Sequence, residues 1–186
     1  MTGRNSITVV VEEPAWKRSG VDLARLKTAA HLALARGRPG RGDPCALTIL
    51  LTQDERLREL NARFRGKDAA TNVLSFPAVP GQEGYLGDVA IALGVTRRES
   101  AEAGMALEAH TQHLGVHGVL HLLGYDHVLA REARAMERLE IAVLQELGLP
   151  NPYARAAPAF PRTAIRGSAG QSSLRVRRSP GAGGAE

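Results

Sequence analysis

The chain has 186 residues, 44% of them hydrophobic but only 4% aromatic, and a formal net charge of +5. That length suits one domain of about 150 residues with an appendage, and aliphatic side chains must fill its core. No run approaches the ~20 apolar residues of a membrane span, and the single cysteine, Cys45, excludes an internal disulfide. Residues 154–186 hold six arginines against one acid, Glu186, so the net positive charge belongs to this segment and residues 1–153 are neutral. The high isoelectric point is therefore no evidence that the domain itself binds nucleic acid.

The β-branched run Ile7–Val11 predicts a strand. It is also too short for the apolar core of a signal peptide, which makes the cytoplasm the expected location. Val21 to Arg36 carries Val21, Leu23, Leu26, Ala30, Ala33 and Leu34 at helical spacing and ends at Gly37. A Gly/Pro/Arg loop over 37–44 follows, then Ala46–Leu51, a continuous apolar run expected of a buried central strand. Thr52-Gln53-Asp54-Glu55 reads as a capping box. The helix it opens is expected to turn Leu57, Leu60 and Phe64 inward and to stop near Gly66.

Asn72–Phe76, closed by Pro77, and Tyr85–Leu93 read as two strands. Their short link predicts antiparallel pairing, whereas the earlier β-α-β order predicts parallel pairing. A second capping box, Thr96 to Glu99, opens a helix interrupted at Gly104. Two further helices are expected, Leu107–Leu123 and Leu129–Leu147, the latter with Met136, Leu139, Val143 and Leu144 at core spacing. From Ala154 onward Pro, Gly, Ser, Ala and Arg dominate without periodicity, which predicts a disordered basic tail over 154–186. The expected architecture is an α+β domain over 1–153. It comprises a small mixed β-sheet of about four strands packed with helices, with a metal helix toward its C-terminal end.

Five of the six histidines lie between His110 and His127. On a helix, His117 and His121 stand one above the other, close enough for both imidazoles to reach one ion. His113 is about 12 Å along the axis from His121 at 1.5 Å per residue, so a third ligand must come from chain that has left the helix. Gly124 provides the exit, because glycine adopts the left-handed conformation that ends helices, and His127 then returns toward the metal. Three imidazoles with one position left for water describe a catalytic zinc site. A lone histidine on such a face would more often be an ordinary helix residue; three at this spacing with a glycine exit would not. His110 and His113 are assigned neighbouring, non-ligating roles. Metzincin peptidases share the spacing but carry glutamate after the first histidine, where this chain has Gly118, so that chemistry lacks its general base. Elsewhere, Asn61–Lys67 holds Arg63, Arg65 and Lys67 without an acid, at a helix end.

His117–His127 resembles the H-G-x-L-H-L-x-G-Y-D-H signature of the YbeY family, bacterial endoribonucleases that act as ribosomal RNA maturation factors. Leu60–Arg65 is similar to that family's L-N-x-x-[YF]-R, Thr71–Pro77 to its T-D-V-L-S-F-P, and Leu86-Gly87-Asp88 to its L-G-D. The likeness covers roughly residues 5–153. One position departs from it: Asn72 replaces the usual aspartate. The resemblance implies one zinc ion held by His117, His121 and His127. It also implies single-stranded RNA as substrate, and a role in 16S rRNA 3′-end maturation and ribosome quality control. The small ribosomal subunit and its assembly proteins would be partners, with neither DNA nor membrane expected. Arg65 corresponds to an arginine proposed to act on the phosphate, a role that a planar guanidinium suits. The general base stays open between Asp88 and Asp126, the latter alternatively orienting a histidine ligand. Two rival functions remain, a non-catalytic assembly factor with zinc as a brace and a metallopeptidase with a base from elsewhere.

Overall fold

Four strands form one mixed sheet in the order β1-β2-β4-β3: β1 (Ser6–Val11), β2 (Ala46–Thr52), β3 (Val73–Pro77) and β4 (Tyr85–Ala92). The structure is a computed structural model that describes residues 5–38, 44–127 and 129–154. Most of the expected loop 37–44 and of the expected tail 154–186 lies outside them. β1 pairs with β2 and β2 with β4 in parallel, while β3 pairs antiparallel to β4 and forms a free edge. The helices are α1 (Leu23–Gly37), α2 (Asp54–Arg65), α3 (Leu93–Glu102), α4 (Leu107–Leu122) and α5 (Ala130–Glu146). Among the described residues no helix is long and apolar enough to cross a membrane.

Strand alternation divides the core in two. Leu47, Ile49, Leu51, Val73, Val89 and Ile91 face α1, α4 and α5 and form the main cluster with Leu26, Val119, Leu120 and Val143. On the opposite face Leu74, Ala90 and Ala92 pack with Leu57 under α2. α4 is enclosed by α1, α3, α5 and the β3–β4 edge of the sheet. Every one of its residues from His110 to Leu122 is buried except His117. Such enclosure demands close approach. A Cβ at Gly118 would lie 2.4 Å from Val89 Cγ1, so glycine is what lets α4 settle on the sheet.

Three local expectations give way to tertiary partners. Thr52 does not cap α2: it ends β2, buried, and its hydroxyl bonds Glu12. The N-cap of α2 is Gln53, which makes no side-chain cap bond. Asp54 instead accepts the Val95 backbone N–H at 2.9 Å and pairs with Arg98 at 3.1 Å, serving the first turn of α3. Thr96 is likewise no cap, since α3 begins three residues earlier at Leu93 and the Thr96 hydroxyl donates back to the Ala92 carbonyl at 2.6 Å. Phe64 does not turn inward. It is 58% exposed, because α2 ends over the edge strand where no further sheet is available to cover it.

Candidate metal centre

The last turn of α4 brings two imidazoles together. His117 and His121 have ring centroids 4.5 Å apart and Nε2 atoms 3.0 Å apart. Leu123 caps the helix and Gly124 follows at φ +89°, the left-handed turn that the sequence placed there. The reversal is held by Tyr125, whose N–H donates to the Leu120 carbonyl at 3.1 Å and whose hydroxyl donates to the Gly37 carbonyl on α1 at 3.2 Å. Asp126 Oδ1 accepts the His127 backbone N–H at 2.7 Å and so sets the chain direction at that residue. His127 then returns with its ring 5.8 Å from that of His117 and 5.2 Å from that of His121. One nitrogen from each of the three rings lies within 4.8 Å of the others. His121 is buried, whereas His117 and His127 are half-buried, so the cluster is open on one side.

A deeper layer fixes the tautomers. Glu140 of α5 is almost fully buried, and its Oε1 lies 2.7 Å from His117 Nδ1. Burial alone would push this carboxyl up. Hydrogen bonds from His113 and His117, together with their charges, outweigh that and hold it below the ordinary carboxylate range. An ionised carboxylate only accepts, so His117 Nδ1 carries the proton and its Nε2 lone pair faces the cluster. The other carboxylate oxygen receives the Tyr153 hydroxyl and lies 3.5 Å from His113 Nε2. Burial, then the neighbouring charges of His117 and His127, lowers the His121 pKa to about 3, and burial first lowers that of His127.

This donor set fits a metal ion. Neutral imidazoles are the ligating form, and two Nε2 lone pairs facing each other across 3.0 Å repel unless a cation or proton lies between them. Two imidazole nitrogens on one tetrahedral ion stand about 3.3 Å apart, close to that separation. His110 and His113 lie outside the cluster. His110 Nε2 meets Glu99 at 2.9 Å, and His113 turns to Glu140.

Arg65, the last residue of α2, is half-buried, and burial lowers its pKa. Its Nη2 donates to the Ser75 carbonyl on the free edge of β3 at 3.3 Å. The Ser75 hydroxyl in turn donates to the Gly118 carbonyl at 3.0 Å, which ties the arginine's strand to the residue beside His117. Among the described residues no carboxylate lies within salt-bridge distance of Arg65; nearby Asp68 engages Arg58 through two bonds of 2.6 and 2.8 Å.

Of the two candidate bases, Asp88 lies away from the cluster, whereas Asp126 sits beside His127 and spends one carboxylate oxygen on that residue's backbone N–H. Asp88 pairs with Phe76 on the sheet face opposite α4, where it accepts the Tyr85 hydroxyl at 2.6 Å. A bulge at Leu86 brings Tyr85 round to that face. Asp126 bonds backbone, and the carboxylate that orients a ligand-type histidine is Glu140, which the sequence reading missed. Its signal was present: Glu140 stands on the buried stripe Ala133, Met136, Val143, Leu144, where a charge needs a partner.

Fold and site define a small α+β domain with a helix-borne three-histidine cluster able to hold a metal ion. The family model for Endoribonuclease YbeY matches residues 16–148, and the chain belongs to that family. An Endoribonuclease YbeY of Stutzerimonas stutzeri is 51% identical over 139 residues, 73% of this chain and 84% of the relative. Another, from Maricaulis maris, is 43% identical over 154 residues, covering 83% of this chain and 95% of the relative. The solution structure of a Thermotoga maritima protein matches with a TM-score of 0.50 at 24% identity, covering 83% of this chain and 99% of that one, a likeness of fold.

Proposed function

We propose that this chain is a single-strand-specific endoribonuclease that uses one zinc ion held by His117, His121 and His127. The carrying observation is the three-imidazole cluster, open on one side and oriented from behind by buried Glu140. The family's endoribonuclease activity supplies the substrate class. When bound, zinc supplies Lewis acidity toward a phosphoryl oxygen and makes hydroxide available near neutral pH.

The chain's own residues do the rest. Glu140 holds His117 in the tautomer that presents Nε2. Arg65 offers its remaining guanidinium donors to a phosphate; partial burial strengthens that interaction, since less water competes. Gly118 argues against peptidase chemistry, because no side chain fits beside His117 against Val89. The resemblance extends the reading to 16S rRNA 3′-end maturation and ribosome quality control in the cytoplasm, with the small ribosomal subunit and its assembly proteins as partners.

The test is cleavage of single-stranded RNA by highly purified protein, wild type against His121→Ala, with zinc content and folding followed in parallel. Cleavage that disappears with zinc in a folded variant supports the reading. Equal cleavage by both proteins assigns the activity to a contaminant, and no cleavage by wild type leaves a binding factor with zinc as a brace. End-group analysis of the products then identifies the nucleophile, as water attack can leave a 5′-phosphate whereas 2′-hydroxyl attack leaves a 2′,3′-cyclic phosphate.

A further inference from the structure

Phe64 is the aromatic ring that the helix pattern aims inward and the fold leaves out. It lies three residues beyond buried Asn61 and seven beyond buried Leu57, on the inward stripe of α2. The helix stops at Gly66 in the left-handed conformation, directly over β3. The ring rests edge-to-face on half-buried Phe76, with centroids 5.3 Å apart, and the Arg63 Cζ lies 5.2 Å from its centroid. Fifty-eight per cent of Phe64 remains exposed. A phenyl ring left more than half exposed forgoes part of the about 1.5–3 kcal/mol that full burial would give and calls for a reason.

Charge says what kind of surface this is. Further back on α2, Arg56 pairs with Glu59 at 3.2 Å and Arg58 with Asp68 at 2.6 Å. Among the described residues Arg63, Arg65 and Lys67 have no carboxylate within that range, so unpaired cations gather around the exposed ring. The Arg63 guanidinium lies over the Phe64 ring, and phenyl and guanidinium faces are both surfaces on which unstacked bases settle. Placement ties them to the proposed chemistry. Phe64 meets Phe76 on the face away from α4 and Arg65 meets the Ser75 carbonyl at the strand's edge. The Ser75 hydroxyl bonds the backbone beside His117 on the other face, so ring and cluster are linked round the β3 edge of the sheet.

We propose that Phe64, with Arg63, is a stacking platform for one base of single-stranded RNA, set so that a neighbouring phosphate of the same strand falls to Arg65. The proposal rests on the endoribonuclease reading for its substrate and names the subsite that selects unpaired strand. A base inside a duplex has both faces covered and cannot use the ring, so the platform favours single strands without reading sequence.

The test uses the zinc-loaded full chain. Trp16, the one tryptophan, is 1% exposed and bonds the Thr52 carbonyl, so added RNA should not perturb it. In Phe64→Trp the new indole is expected to be quenched by single-stranded RNA and not by duplex of the same sequence. Phe64→Ala should raise KM for single-stranded RNA about tenfold while kcat stays within about twofold and zinc content is unchanged. Phe64→Leu should resemble alanine, because it restores apolar bulk without a π-face, and Phe64→Tyr should resemble wild type. A purely structural Phe64 would lower thermal stability and be rescued by leucine. Val10→Ala, exposed on the strand at the far edge of the sheet, is the neutral control. Unquenched indole emission in Phe64→Trp and an unchanged KM in Phe64→Ala, in protein that cleaves RNA, overturn the platform and leave the patch to a protein partner. Quenching in protein that cleaves nothing supports the platform and refutes the endoribonuclease reading instead.

Discussion

Removing the carboxylate behind the metal centre is expected to loosen the metal without touching a ligand. Glu140 makes three contacts, and they are unequal. The His113 contact, 3.5 Å long, helps keep the carboxyl ionised but does not reach the cluster. The Tyr153 hydroxyl satisfies the second oxygen but does not reach the cluster. The bond from His117 Nδ1 at 2.7 Å has the length of a charge-assisted hydrogen bond. Such bonds contribute about 1.5–3 kcal/mol, equivalent to about 10–150-fold in a dissociation constant, and outer-layer partners of metal ligands fall within about 10–100-fold. Glu140→Gln keeps an acceptor oxygen for Nδ1–H but removes the charge. Since neutral bonds are about half as strong, its loss in zinc affinity should be under about tenfold. Glu140→Ala should lose about 10–100-fold. It should also lower stability, because the His117 N–H and the Tyr153 hydroxyl are then left without this acceptor. Zinc-loaded proteins titrated at pH 7 with a chelator of graded strength, alongside thermal melts of the metal-free forms, separate the two effects. If both variants are folded and hold zinc as tightly as wild type, His117 is not oriented through Glu140 and the two-layer description of the site is wrong.

His117→Ala, His121→Ala and His127→Ala are each expected to lose zinc retention sharply, and His110→Ala to keep it; undiminished zinc in folded His127→Ala removes the third ligand. Arg65→Ala should depress RNA cleavage about 10²-fold at unchanged zinc content, with lysine recovering only part because it lacks the planar fork; wild-type rates would return Arg65 to the solvent-facing surface of α2. Gly118→Ala should cost about 1–3 kcal/mol through overpacking, since its Cβ would lie 2.4 Å from Val89 Cγ1; an unchanged melting curve would show that α4 can lift from the sheet freely. Truncation after Tyr153 should preserve fold and zinc while flattening the salt dependence of RNA affinity, by at most about 4–5 in log–log slope for five net charges. Superimposable salt titrations make the tail a bystander, and loss of zinc on truncation moves the domain boundary.

What the sequence showed well depended on short range. The apolar periods gave the four strands and the helices, and the H-x3-H spacing with Gly124 gave the cluster, because each needs only the geometry of one helix and its exit. Three-dimensional competition was illegible. Thr52 and Thr96 look like caps until Glu12 and the Ala92 carbonyl take their hydroxyls. Phe64 fits the inward stripe of α2 until the sheet runs out beneath it. Glu140 is legible by contrast, because a carboxylate on the α5 core stripe needs a buried partner.

Asn72 carries that lesson to a position where the chain departs from the resemblance, asparagine standing for aspartate. As a lost carboxylate it raised the question of a missing acid or base. In the fold its Oδ1 accepts the Val73 N–H at 2.7 Å and its Nδ2 donates to Glu99 Oε2 at 2.9 Å, the same oxygen that meets His110 Nε2. An aspartate with this geometry would set two carboxylates against each other and require a shared proton. The amide removes that conflict and joins the start of β3 to α3 and α4. The substitution is thus matched by Glu99 inside this chain, and the proposed chemistry at the histidine cluster is built without a carboxylate at position 72.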